Sequence, residues 1–225
     1  MTAIAAHAAN DRSLPRVTWR IGAAVCGIAF VPVFIAGIFL AMNAPSNDAS
    51  DATWLSWYQD SGHQTGLLIG AYLLIVGALL FIAFAAGVHE YLHGAAEQSP
   101  VLYRFATAAA GVFAVLVMVG AVQLVGIAGN IAVGDVKAPQ TADLLRQNIG
   151  FPFIFVAGGL TAAAFVAVVT TLARQAGIFP AWLSALSYAL AVILLVSIIF
   201  LPMVALPVWV LITSVVLLRR STDHS

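Results

Sequence analysis

Six long apolar runs, nearly free of charge, follow one another along this chain: Ile21–Ala41, Gly66–Val88, Phe105–Gly129, Gly150–Ala173, Trp182–Phe200 and Met203–Leu218. Runs of this kind leave few folds open. A helix needs about 20 apolar residues to cross the hydrocarbon core of a bilayer, and most of the runs meet or approach that length. Backbone groups in lipid must be satisfied within the segment, which a helix does by itself. The predicted fold is therefore all-α: a polytopic membrane helix bundle with six transmembrane helices embedded in the lipid bilayer. Its parts are a cytoplasmic tail over 1–20, one membrane domain over 21–218 and a cytoplasmic tail over 219–225.

Composition agrees and removes other classes. Charged residues make up 8% of the chain and hydrophobic ones 62%, whereas soluble domains carry about 25% charged residues. No remaining stretch is long enough for a second core. The formal net charge is zero, so nothing points to a nucleic-acid partner. Cys26 is the sole cysteine and lies inside the first run, which excludes an intramolecular disulfide. That first run is longer than the 7–15 apolar residues of a signal-peptide core, so it is read as a retained helix.

Basic residues collect on the cytoplasmic side of membrane proteins. Arg12, Arg16 and Arg20 precede the first run, Arg104 lies between the second and third, Arg174 follows the fourth, and Arg219 and Arg220 follow the sixth. With six crossings all of these share one face, while Lys137 and Arg146 fall on the other. The pattern predicts both termini inside and an even number of spans. The last two runs form the weakest stretch of that count. Trp182–Leu218 holds 37 residues with Pro202 and Pro207 near its middle, which predicts a tight outer hairpin around Leu201–Pro202. Proline costs little in a turn or in a first helical turn. Trp54, Trp57, Tyr58, Tyr103, Trp182 and Trp209 lie near the run boundaries, where an interfacial aromatic belt is expected.

Within the second run, Gly66, Gly70 and Gly77 form a small-residue face. Such a face lets helix backbones approach closely, within a bundle or against a homo-oligomeric or other membrane partner. Gln123 and Asn130 lie toward the end of the third run as packing or interfacial groups. No Asp, Glu, Lys or Arg lies deep in any run, which argues against ion-coupled transport. Phe30–Gly37 and Phe151–Gly158 echo one another faintly, as two inverted halves of a transporter would. Pro32, however, falls mid-run and Pro152 at a run entrance.

One motif carries chemistry. His89-Glu90-Tyr91-Leu92-His93 has the H-E-x-x-H spacing. On a continuous helix this puts two imidazoles on one face to hold Zn²⁺, with Glu90 as general base toward a metal-bound water. A third ligand is required, and Glu97 is the nearest candidate. Haem ligation by His63 and His89 fails on distance, since they lie about 39 Å apart at helical rise. The loop Asn43–Thr65 contains Asp48, Asp51, Asp60 and His63 without a basic residue. It is read as a solvated acidic loop whose Trp54, Trp57 and Tyr58 form a short surface helix.

The string Phe151-Pro152 through Gly158-Gly159-Leu160, the Phe179-Pro180-Ala181-Trp182-Leu183 segment and the glycine-rich second run resemble uncharacterised six-helix integral membrane proteins of actinobacteria. That resemblance covers most of the chain. It implies six helices and a bacterial plasma-membrane location, and it carries no catalytic residue. Three roles follow from the sequence. The leading one is non-enzymatic: packing with a partner or handling a small apolar molecule. The alternatives are a zinc-dependent membrane hydrolase using His89, His93 and Glu90, and a small-solute transporter.

Overall fold

Apolar runs become helices wherever the chain is described, which in this computed structural model covers residues 14–46, 48–93, 99–133, 149–197 and 201–222. The elements are α1 (Leu14–Ala41), α2 (Asp51–Gln59), α3 (Ser61–Tyr91) and α4 (Pro100–Val133). A π-helical turn at Pro152–Ala157 leads into α5 (Gly158–Gln175). Then come α6 (Ala181–Leu195), a 3-10 turn at Leu201–Val204 and α7 (Ala205–Thr222). There is no strand among the described residues. Five segments are long and apolar enough to cross a membrane: Ile21–Ala41, Ser61–Tyr91, Pro100–Gly126, Ile149–Gln175 and Leu201–Arg219.

The fifth sequence run is the exception. Its helix, α6, has 15 residues and ends at Leu195, a length of about 22 Å against a hydrocarbon core of about 30 Å. The stretch from Trp182 to Leu218 is not one bent helix. Pro202 sits in the 3-10 turn and Pro207 in the first turn of α7, where each lacks a hydrogen bond it would otherwise need to make.

The long helices form a closed ring. α3 lies between α1 and α4, α4 continues to α5 and α5 to α6; α7 returns against α1, with a smaller contact to α6. Aromatic rings fill the axis. Phe81 of α3 packs on Phe30 of α1, Phe113 of α4 and Phe165 of α5, with ring centroids 5.6, 4.7 and 5.3 Å away. Trp209 of α7 meets Phe84 and Phe165 edge-on, and its Nε1 donates to Ser187 Oγ of α6 at 2.9 Å. One cluster thus joins all six helices of the ring. Each ring buries 150–250 Å² and gains further from edge-to-face geometry.

Three residues expected in the interfacial belt, Trp54, Tyr58 and Trp209, are core residues instead. Trp209 and Tyr58 are fully buried. Trp209 can leave the interface because Ser187 supplies its N–H with an acceptor inside the apolar core. Trp182 is exposed, as a belt residue should be.

The glycine face of α3 turns inward. A Cβ on Gly70 would lie 2.6 Å from the Ala41 amide nitrogen and 3.0 Å from the Gly37 carbonyl oxygen. A Cβ on Gly37 would meet the Leu74 nitrogen at 3.0 Å. Any side chain at either position would separate the two backbones, so this crossing needs glycine. Gly77 is also buried, facing Phe34 of α1, whereas Gly66 has open space beside it. A second close crossing, between Gly120 of α4 and Gly150, has no GxxxG signature in the sequence.

Candidate functional site

The last turns of α3 and the first turns of α4 face one another with a space between them. On α3, Ile82, Ala85, Ala86, His89 and Glu90 follow the helical repeat; on α4, Tyr103, Thr107, Ala110 and Gly111 do the same. Residues three and four apart share a helix face, so each set forms a stripe. The middles of both stripes are Ala or Gly, too small to fill the gap. An open cleft of about 540 Å³ results. Its apolar part lies along Ile82, Ala86 and Gly111, which are exposed on the outside of the bundle. Its polar part is His89, Glu90, Tyr103 and Thr107.

His89 is held by the opposite helix. Its ring meets Tyr103 edge-on at 4.5 Å, and both ring nitrogens lie 3.3 Å from Thr107 Oγ1. The Tyr103 hydroxyl donates to the His89 carbonyl oxygen at 3.4 Å. Thr107 Oγ1 donates to the Tyr103 carbonyl oxygen at 3.1 Å. His89 is buried as a result, while Glu90 beside it is half-buried.

The H-E-x-x-H pattern is divided by the end of α3. The helix closes at Tyr91, and the Leu92 amide caps it through the carbonyl oxygens of Val88 and His89. His93 therefore lies beyond the end of α3 and is exposed, while His89 lines the cleft. Four-residue spacing aligns two imidazoles only while one helix carries both. Glu97 falls outside the described residues. Among those residues, no three His, Cys, Asp or Glu side chains are grouped as a metal ion would require. Tyr91 is directed elsewhere, donating its hydroxyl to the Leu217 carbonyl oxygen of α7 at 3.1 Å.

At the other end of α3, the acidic loop is used for capping. The short helix α2 forms as expected, with Ser50 Oγ accepting from the Thr53 amide at 3.3 Å. Asp60 follows it and caps α3, its carboxylate accepting from the His63 amide at 3.0 Å. That amide holds the Asp60 carboxyl below the usual carboxylate range, with the His63 ring adding a smaller effect in the same direction. The imidazole stacks on Trp57, with centroids 5.1 Å apart and planes at 12°. Its Nδ1 lies 3.5 Å from Asp60 Oδ1, in ion-pair range but not in hydrogen-bond geometry. Burial pushes the Tyr58 phenol up, and Gln64 Nε2 donates to the Tyr58 carbonyl oxygen.

Thr107 is a site residue that the sequence reading passed over, and Tyr103 was read only as an interfacial aromatic. Their signal was a polar pair four apart at the start of an apolar run, with Ala110 and Gly111 continuing the stripe. Gln123, the polar residue singled out farther along α4, is exposed on the surface of the bundle. No family model, curated protein or solved structure matches this chain.

Proposed function

We propose that this chain is a six-crossing integral membrane protein, with both termini cytoplasmic, that binds a small amphiphile in the cleft between α3 and α4. The observation that carries this reading is the division of the cleft into an apolar stretch and a polar end. Ligand sites are typically about 300–1,000 Å³ and mostly apolar, with a few polar groups that orient the ligand. A cleft of about 540 Å³ lies in that range. Exposure of Ile82, Ala86 and Gly111 gives a molecule dissolved in the bilayer a lateral way in. The aromatic cluster on the bundle axis favours this lateral path over one along the centre. The arginine pattern supports the orientation, placing the polar end at the cytoplasmic interface, where the head of an amphiphile resides.

Photolabelling with a diazirine-bearing alkyl probe in lipid nanodiscs tests the cleft. Wild type should be labelled mainly on α3 and α4 beside the cleft. Gly111→Phe should lose that labelling, because Gly111 has open space beside it and the new ring would occupy the cleft without disturbing the bundle. Uniform labelling over all lipid-facing helices, unchanged in Gly111→Phe, would overturn the reading.

A further inference from the structure

A count of hydrogens at the polar end of the cleft identifies the chemistry of its ligand. This inference rests on the cleft being a binding site. The Tyr103 hydroxyl has one hydrogen, and it is directed to the His89 carbonyl oxygen. Thr107 also has one, directed to the Tyr103 carbonyl oxygen. With that hydrogen engaged, Thr107 Oγ1 is free to accept one from the imidazole. A neutral imidazole has one N–H, and its other nitrogen is an acceptor. Thr107 Oγ1 lies equally far from both ring nitrogens, so either of them can carry that hydrogen.

In this arrangement the side-chain donors of Tyr103, Thr107 and His89 each have a partner within the protein, while acceptors remain. They are the lone pairs of the Tyr103 oxygen, the second nitrogen of His89 and the carboxylate of Glu90. No Lys or Arg lines the cleft among the described residues. A carboxylate or phosphate head would bring acceptors to acceptors and a negative charge beside Glu90. A head that brings hydrogens would complete the set.

We infer that the ligand is a single-chain amphiphile with a hydrogen-bond-donating head, a hydroxyl or an ammonium group, and that the cleft rejects anionic heads. Glu90 adds charge-assisted bonding for the ammonium form, and such bonds are roughly twice as strong as neutral ones. Thr107 is a positioning residue here: it keeps the N–H of His89 turned away from the ligand.

The test compares dodecanol, dodecylamine and dodecanoate, which share a tail, for binding to the full chain in nanodiscs of neutral lipid. Dodecylamine and dodecanol should bind, and dodecanoate should bind at least about tenfold more weakly. Glu90→Gln should reduce the advantage of the amine over the alcohol by about tenfold. Thr107→Val should free the His89 N–H and raise dodecanoate binding. If all three bind equally and Gly111→Phe abolishes them together, the binding cleft stands and the donor-head proposal falls. If none binds differently in wild type and Gly111→Phe, both fall. Preferential binding of dodecanoate would overturn the proposal directly.

Discussion

The two ends of α3 each present a histidine, and they are held in opposite ways. His63 is served by its own neighbourhood: the Asp60 cap three residues away and the Trp57 ring just before it. His89 is held by another helix, through Tyr103 and Thr107. The first arrangement closes a corner between α2 and α3. The second spans a gap between two helices and leaves a cleft. A histidine satisfied by local partners stabilises a helix start. One that is satisfied across a helix interface becomes the wall of a site, because the small residues beside it leave room for something else.

The sharpest way to break this comparison is to ask whether the two ends lie on opposite sides of the membrane. In a Cys26→Ser background, a membrane-impermeant maleimide should label Ser61→Cys in intact cells and Ser99→Cys only after lysis. The reverse result would invert the proposed orientation. Next in size is packing along α3. Gly70→Leu forces a side chain into the α1 backbone and should cost about 3 kcal/mol or more, the upper end for overpacking. Gly66→Leu, with open space, should stay within about 0.5 kcal/mol. Thermal unfolding in detergent measures both, and equal losses would mean that Gly70 does not form the crossing.

Histidine replacement gives a smaller contrast. His89→Ala removes a buried ring with partners on a second helix and should cost about 1–3 kcal/mol. His63→Ala removes a more exposed ring and should cost about 0.5 kcal/mol or less. Similar losses would erase the distinction between the two ends. The smallest effect is a pH response at the outer end. The folded state holds the Asp60 carboxyl below its ordinary value, so its contribution is complete above the unfolded value near about pH 4. It is lost as pH falls further, through the folded value. Amide exchange at His63 and Gln64 should accelerate in that acid range, as it should at neutral pH in Asp60→Ala, which has no capping oxygen. Exchange that is independent of pH after correction for intrinsic rates would show that the cap contributes nothing.

Much of the fold was legible in the chain itself. Runs such as Gly66–Val88 and Phe105–Gly129 state their own conformation, since length and hydropathy are properties of a segment taken alone. The α2 helix and the helix break near Pro202 were readable for the same reason. The site was only half legible. His89 and Glu90 stood out, but as part of an H-E-x-x-H pattern that presumes a helix continuing through His93. The chain ends that helix at Tyr91, and no strong breaker precedes that point in the sequence. Trp209 misled in a similar way. Its position near a run boundary suggested the interface, and only its contact with Ser187 explains its burial.

By itself, then, the sequence determined the helices, their apolar character and the asymmetry of charge about them, because each depends on residues close together in the chain. Tertiary structure alone decided that Gly70 meets Gly37, that rings from five helices meet on one axis, and that His89 faces Thr107. Those pairings depend on which helices become neighbours and how they are rotated. That outcome is set by the fit of side chains along the whole bundle, which no single run contains.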